Sequence, residues 1–177
     1  MKTTPKSRNK IPVINGDIFD YIKSYIHQGN NGFSVIVPHV CNNINLFGAG
    51  FASAVARHYP IVKENYHLLG NKNTLGYVQF VEAEKGPVYG HKLIFANMIA
   101  QNGIINPSNS KPLSYFALTQ CMSSVSSFVR KTFDLTDNKA QIHCPKFGCG
   151  LAGGNWLLIE ELITDIWANQ TVFVYQK

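Results

Sequence analysis

Two glycine-rich turns constrain the fold of this chain more than any other feature of its sequence. The first, 42–50 (NNINLFGAG), follows the apolar run 34–41, and the second, 147–155 (FGCGLAGGN), follows the run 141–145. Each turn stands between an apparent strand and an apparent helix. Glycines in such a turn let backbone N–H groups approach an anion closely, beside the positive end of a helix dipole. Two such turns in one small domain predict a site that holds a diphosphate from both sides.

The length and composition favour one folded domain. The 177 residues are 45% hydrophobic and 15% charged, which indicates a globular chain with a sizeable core. Four of the sixteen cations lie in the first ten residues, at Lys2, Lys6, Arg8 and Lys10. We therefore expect a basic, flexible tail over 1–10 and a single domain over 11–177. Without the tail, twelve cations face ten acids, so the charge of the domain does not indicate a nucleic-acid-binding protein.

The cysteines and the hydropathy pattern indicate a reducing, aqueous compartment. Cys41, Cys121, Cys144 and Cys149 lack the spacing of a structural zinc site, so we expect reduced thiols, no metal and no cofactor. No apolar run reaches the length of a membrane span, and no signal segment is recognisable. We expect a cytoplasmic monomer that does not associate with membranes.

Hydrophobic periodicity predicts an α/β fold. Strands are predicted over 11–15, 33–40, 77–82, 92–98, 140–145 and 171–175, with the third and fourth forming a hairpin. Helices are predicted over 17–27, over 50–58 with a stop before Pro60, from Pro112 in the first turn to about 131, and after an N-cap at Asn155. This order indicates a mixed sheet with helices on both faces. Because ligands bind beyond the carboxyl ends of parallel strands, both glycine turns should meet over one site.

The second turn also contains a literal GxGxxG pattern at 148–153. That pattern is typical of dinucleotide-binding Rossmann domains, where it opens a βαβ unit and an acid follows about 20 residues later. Here the next predicted strand, 171–175, has no acid. A Rossmann oxidoreductase is therefore a remote alternative. Another is that these glycines only allow tight turns.

Short motifs in a fixed order give the chain a family resemblance. They are Asn15-Gly16-Asp17-Ile18 after the first strand, 39–42 (HVCN), 48–52 (GAGFA) and 172–175 (VFVY). Over about 11–176, these segments resemble a macrodomain, the ADP-ribose-binding module. The second turn, with Trp156 just beyond it, is similar to the branch that contains ADP-ribose 1''-phosphate phosphatases and terminal ADP-ribose–glutamate hydrolases. The resemblance implies a three-layer α/β/α fold with a mixed, largely parallel central sheet.

The resemblance also implies a role for individual residues. Asp17 would accept a hydrogen bond from the adenine amino group, Asn42 would hold the distal ribose, and Tyr175 would lie against adenine. Asp17 could equally be a favourable acid at a helix N-terminus, Asn42 a self-satisfied turn residue, and Tyr175 a core aromatic. The other ligand-binding residues implied are Ile18 beside Asp17, Phe47, Gly48, Ala49 and Gly50 in the first turn, and Phe147, Gly148, Cys149, Gly150 and Leu151 in the second.

The catalytic residues that the resemblance implies are partly missing. Hydrolases of this branch use a lysine on a middle strand and an aspartate in the second turn. Here the strand region 95–101 (FANMIAQ) has no lysine, and Ala152 stands where the aspartate is expected. His39 and Asn42 remain the catalytic candidates, since histidine can act as a general acid or base. A histidine inside an apolar strand can equally be a hydrogen-bonded structural residue.

The sequence thus predicts an ADP-ribose-binding hydrolase whose substrate is a small ADP-ribose derivative. The favoured reaction converts ADP-ribose 1''-phosphate to ADP-ribose and phosphate. One alternative is a non-catalytic ADP-ribose reader. The other is a hydrolase that removes ADP-ribose from modified protein or nucleic acid, in which case an ADP-ribosylated protein would be the partner.

Overall fold

A computed structural model of the chain describes residues 11–27, 32–86, 90–134 and 139–177. The basic tail predicted at 1–10 lies outside these ranges, so its flexibility stays a prediction.

Six strands form one mixed sheet. They are β1 (Val13–Asn15), β2 (Phe33–Asn42), β3 (Val78–Lys85), β4 (Lys92–Gln101), β5 (Lys139–Pro145) and β6 (Val172–Gln176). Their spatial order is β1-β6-β5-β2-β4-β3. All neighbours pair in parallel except β3, which pairs antiparallel with β4 as the predicted hairpin.

Helices cover both faces of this sheet. They are α1 (Ile18–His27), α2 (Gly50–His58), α3 (Pro60–Leu68), α4 (Tyr115–Val129) and α5 (Trp156–Ile166). Side chains of β2 alternate between the two resulting cores, as the two-residue period of a strand requires. Ile36 packs with α4 and α5, whereas Val35 and Val37 pack with α1, α2 and α3. The predicted three-layer α/β/α architecture is confirmed.

The carboxyl edge of the sheet opens between β2 and β5. The ladder that joins these strands runs from Phe33–Lys139 to Ile36–Ile142. Beyond it, β2 continues to Asn42, and β5 continues to Pro145 while paired with β6 on its other side. The chain leaves β2 toward β4 and leaves β5 toward β6, so the opening lies where the order of strands reverses. Ligands of open α/β sheets bind in crevices of this kind.

Helix ends account for the main differences from the sequence prediction. Asn155 caps α5 as predicted, since its Oδ1 accepts a hydrogen bond of 2.9 Å from the Leu157 N–H. Pro112 does not start α4. The N-cap of α4 is Ser114, whose Oγ accepts a hydrogen bond of 3.2 Å from the Ala117 N–H. The predicted helix over 50–58 ends before Pro60 as expected. The sequence does not predict the next helix, α3, where Pro60 stands in the first turn and its missing N–H and fixed φ are favourable.

No helix in the described ranges is long and apolar enough to span a membrane.

Candidate functional site

Two adjoining cavities lie along the carboxyl edge of the sheet. The larger encloses about 710 Å³ and the smaller about 260 Å³, and Phe51 and Pro145 line both. The larger one is lined by most of the predicted site residues, namely His39, Asn42, Phe47, Gly48, Ala49, Gly50, Phe147, Gly148, Gly150 and Leu151. The smaller one is lined by Asp17, Ile18 and Tyr175. Of the predicted ligand-binding residues, Cys149 lines neither cavity, and its Sγ lies 3.1 Å from the Lys146 carbonyl oxygen.

The first turn is held in shape by Asn42. Its Oδ1 accepts hydrogen bonds of 3.1 Å from the N–H groups of Ile44 and Leu46, and its Nδ2 donates to the Leu46 carbonyl at 2.6 Å. The Tyr66 hydroxyl, from α3, lies 2.6 Å from the Asn42 carbonyl oxygen and 3.1 Å from its Oδ1. The amide of Asn42 is thus engaged by the protein. Its predicted contact with a distal ribose, and its catalytic role, stay predictions.

Two glycines face open space in the cavity. A Cβ added to Gly48 or to Gly150 would meet nothing within 4 Å, and neither residue has a positive φ. The fold therefore does not require glycine at these two positions. The turns also approach each other, because a Cβ on Gly50 would lie 3.5 Å from the Leu151 side chain.

Other glycines of the second turn serve the fold itself. Gly148 and Gly153 have φ values of 76° and 70°, which side chains disfavour. A Cβ on Gly154 would lie 2.5 Å from the Gly148 carbonyl oxygen. Ala152, at the position of the expected aspartate, is buried, and its carbonyl accepts from the Leu113 N–H at 3.0 Å.

The catalytic candidate His39 is 1% exposed and hydrogen-bonded on both ring nitrogens. Asn97 donates from Nδ2 to Gln79 Oε1 at 2.9 Å, so its Oδ1 accepts from His39 Nε2 at 2.7 Å. This leaves His39 Nδ1 unprotonated, 3.7 Å from Cys41 Sγ.

Burial governs the charge of this group. It lowers the pKa of His39 to about 4, although the Asn97 hydrogen bond acts in the opposite direction. Burial also raises the pKa of the Cys41 thiol, so the thiol is the donor to Nδ1. A neutral, fully engaged imidazole fits the structural interpretation of His39, and its catalytic role stays a prediction.

The smaller cavity has a carboxylate at its rim. Asp17 Oδ1 accepts from the Phe19 N–H at 3.0 Å, and Oδ2 lies 2.7 Å from Lys177 Nζ. These two hydrogen bonds lower the pKa of Asp17, and the bond to Lys177 has the larger effect. Asp17 is therefore ionised at neutral pH. Tyr175 lines the same cavity but is 4% exposed. Its hydroxyl lies 2.9 Å from His143 Nδ1, so it is largely a core side chain.

Sequence reasoning missed the basic side chains of the larger cavity. Lys63 and His67 of α3 and Lys146 just before the second turn line it, whereas no Asp or Glu of the described residues does. Lys63 and His67 are four residues apart, and this helical spacing could have indicated a shared face. The sequence prediction has no helix directly after Pro60, so this spacing was not recognised as helical. Lys146 stands one residue before the second turn and could have been read directly.

Metal-binding clusters are not found in the part of the chain that the structure describes: no three His, Cys, Asp or Glu side chains gather there.

Comparison with known proteins gives the fold a family. No protein-family model matches the chain. A macrodomain protein from Streptomyces coelicolor is 31% identical, with a TM-score of 0.64, over 82% of this chain and 89% of that one. A Candida albicans protein named ADP-ribose 1''-phosphate phosphatase is 24% identical over 82% of this chain and 86% of its own length. Thermosipho africanus DarTG, solved in complex with ADP-ribose, matches 93% of this chain and 41% of its own with 15% identity and a TM-score of 0.67. The identity and coverage shared with the Streptomyces protein show that this chain belongs to the macrodomain family.

Proposed function

We propose that the protein binds ADP-ribose across the two adjoining cavities, with adenine in the smaller one and the diphosphate between the glycine turns. The observation that carries this proposal is the pair Gly48 and Gly150. Both line the larger cavity, and nothing among the described residues requires glycine there. A ligand that approaches the backbone closely does require it.

The charge of the larger cavity supports an anionic ligand. Lys146, next to the second turn, lines it, and none of its described lining residues is acidic. Each backbone N–H that donates to a charged oxygen contributes about 1.5–3 kcal/mol. A few such bonds from the two turns are sufficient for micromolar affinity after the entropic cost of association. The volume of about 710 Å³ is also within the usual range of small-molecule sites.

The smaller cavity supports an adenine at the other end. Asp17 is ionised there and can accept a hydrogen bond from an exocyclic amino group. Its partner Lys177 is mostly exposed. Breaking this ion pair when a ligand enters therefore costs little free energy. The neighbouring Ile18, as the first residue of α1, has an N–H without an intrahelical acceptor.

For the reaction, we propose hydrolysis of ADP-ribose 1''-phosphate to ADP-ribose and phosphate. The name of the Candida relative supports it, as does the lack of Asp and Glu among the described residues that line the larger cavity. Positioning and electrostatic stabilisation of the departing phosphate would be the main contributions of the protein.

A second candidate function is a non-catalytic ADP-ribose reader. The observation that favours it is the environment of His39, which is buried and engaged on both ring nitrogens. Ala152 in place of the expected aspartate also favours a reader over a hydrolase. In a reader, the same cavities would bind ADP-ribose with no chemical step.

The binding test uses valine substitutions that the fold tolerates. Calorimetric titration with ADP-ribose should show that Gly48→Val and Gly150→Val each lose about tenfold to a hundredfold in affinity, since each blocks backbone N–H donation. Gly32→Val is the matched control, because Gly32 also has open space around it but precedes β2 at the opposite edge of the sheet. Native affinity in the Gly48 and Gly150 variants, or no binding by the native protein, would reject the proposal.

Phosphate release separates the two candidate functions. The native protein is incubated with ADP-ribose 1''-phosphate, and free phosphate is measured against Gly48→Val. Turnover that the variant lacks supports the phosphatase. Binding of ADP-ribose without turnover of the phosphate, of ADP-ribosylated glutamate peptides or of ADP-ribosylated DNA supports the reader.

A further inference from the structure

Two basic side chains of α3 line the larger cavity without a role in holding the diphosphate. Lys63 and His67 are one helical turn apart and both face the cavity. The helix that carries them is anchored on two sides. Tyr66 donates to the Asn42 carbonyl of the first turn at 2.6 Å, and Gln79 of β3 donates from Nε2 to the Asn65 carbonyl at 2.8 Å.

The order of the strands places α3 far from the proposed adenine end. Asp17 and Tyr175 belong to the β1–β6 end of the sheet, and α3 packs against β3 at the other end. The glycine turns follow β5 and β2, which lie between these two ends. A ligand with adenine near Asp17 and a diphosphate between the turns therefore directs its distal ribose toward α3.

Hydrogen bonding leaves Nε2 of His67 available to such a ligand, and this nitrogen donates to a phosphate oxygen when the imidazole carries its second proton. Asn73 donates from Nδ2 to Asn45 Oδ1 at 3.3 Å, so this oxygen is an acceptor. His67 Nδ1 lies 3.1 Å from the same oxygen and must therefore carry the hydrogen. Among the described residues, Nε2 of His67 has no hydrogen-bond partner, and Lys63 has no ion pair.

We propose that Lys63 and His67 bind a terminal phosphate monoester carried by the distal ribose, and so make the site selective for phosphorylated ADP-ribose over ADP-ribose itself. This inference rests on the proposed function, because it requires ADP-ribose in the cavities. Lys63 is the main determinant, since its ammonium group is a compact charge on a flexible stem that suits a phosphate. No carboxylate of the described cavity lining competes for it. Both would contact the terminal phosphate itself, whereas the glycine turns would hold the diphosphate.

The experiment compares two ligands on matched lysine variants. A fluorescent ADP-ribose analogue is displaced by ADP-ribose or by ADP-ribose 1''-phosphate, with rapid mixing so that binding is read before turnover. The native protein should prefer the phosphorylated ligand by about tenfold or more, as expected for one charge-assisted contact. Lys63→Met should abolish this preference and leave the affinity for ADP-ribose within about twofold of native. Lys63→Arg should keep most of the preference for the phosphorylated ligand, and His67→Gln should reduce that preference.

Lys72→Met is the matched control. Lys72 is an exposed lysine shortly after α3 that lines neither cavity, and its variant should behave as native. The inference is overturned if Lys63→Met weakens both ligands equally, or weakens neither. Failure of the native protein to bind ADP-ribose would instead overturn the proposed function from which the inference starts.

Discussion

Acidification should destabilise this protein through two buried histidines. His39 on β2 and His143 on β5 are both almost fully buried. His143 receives a hydrogen bond from the Tyr175 hydroxyl at 2.9 Å on Nδ1 and donates to Gln141 Oε1 at 3.1 Å from Nε2. Desolvation lowers the pKa of each histidine from 6.5 to about 4. Both imidazoles are therefore neutral in the folded state at neutral pH.

The sign and size of the effect follow from proton linkage. The unfolded chain binds a proton at each histidine below pH 6.5, whereas the folded state does so only near pH 4. The folded state therefore has its full stability with respect to these two histidines above pH 6.5, and loses stability as the pH falls from 6.5 toward about 4. Between about pH 7.5 and about pH 5, each histidine should remove about 2 kcal/mol from the free energy of unfolding. The pair then removes about 4 kcal/mol, a large share of the stability of an ordinary domain.

Urea unfolding at the two pH values measures this loss, with the variants His39→Gln and His143→Gln and their combination. Glutamine keeps a side-chain amide donor and does not titrate. Each variant should reduce the pH-dependent loss by about 2 kcal/mol relative to native, whatever its stability at neutral pH. An unchanged pH dependence in His39→Gln would refute the argument. It would also show that His39 is more basic than its burial implies, and so would revive its candidacy as a general base.

Two further predictions concern the turns and the adenine end. Gly154→Ala should destabilise the fold by about 2 kcal/mol or more in thermal unfolding, because a Cβ there would lie 2.5 Å from the Gly148 carbonyl and would overlap Leu113. Gly150→Ala, in the same turn but with open space around it, should melt as native does, and equal losses in both variants would contradict the assignment. Asp17→Asn should lose about tenfold in affinity for ADP-ribose but not for the hypoxanthine analogue, measured by calorimetry, because only adenine offers an amino group to the carboxylate. Equal losses for both ligands would remove Asp17 from base recognition.

Local signals in the sequence were sufficient for the layers of the fold. The strand over 33–40 and the capping of α5 by Asn155 depend on neighbouring residues, and both were predicted. The helix α3 was missed because a proline can end one helix and begin the next. At Pro60 the sequence alone did not separate these two cases.

The candidate site was predictable in position but not in its hydrogen bonding. The turns at 42–50 and 147–155 do meet over one cavity, as their places after parallel strands required. The environment of His39 depends on Asn97 and Gln79, which come from two other strands of the sheet. The sequence also does not show which glycines face the cavity, because this depends on neighbours such as Leu113, which lies against Gly154 but not against Gly150.

A crystal structure of the protein with ADP-ribose tests the central claim most directly. We predict diphosphate oxygens within hydrogen-bonding distance of backbone N–H groups at both Gly48–Gly50 and Gly148–Gly150, with the adenine amino group at Asp17 and the distal ribose toward α3. A ligand bound away from these turns, or a diphosphate that contacts neither of them, would contradict the account.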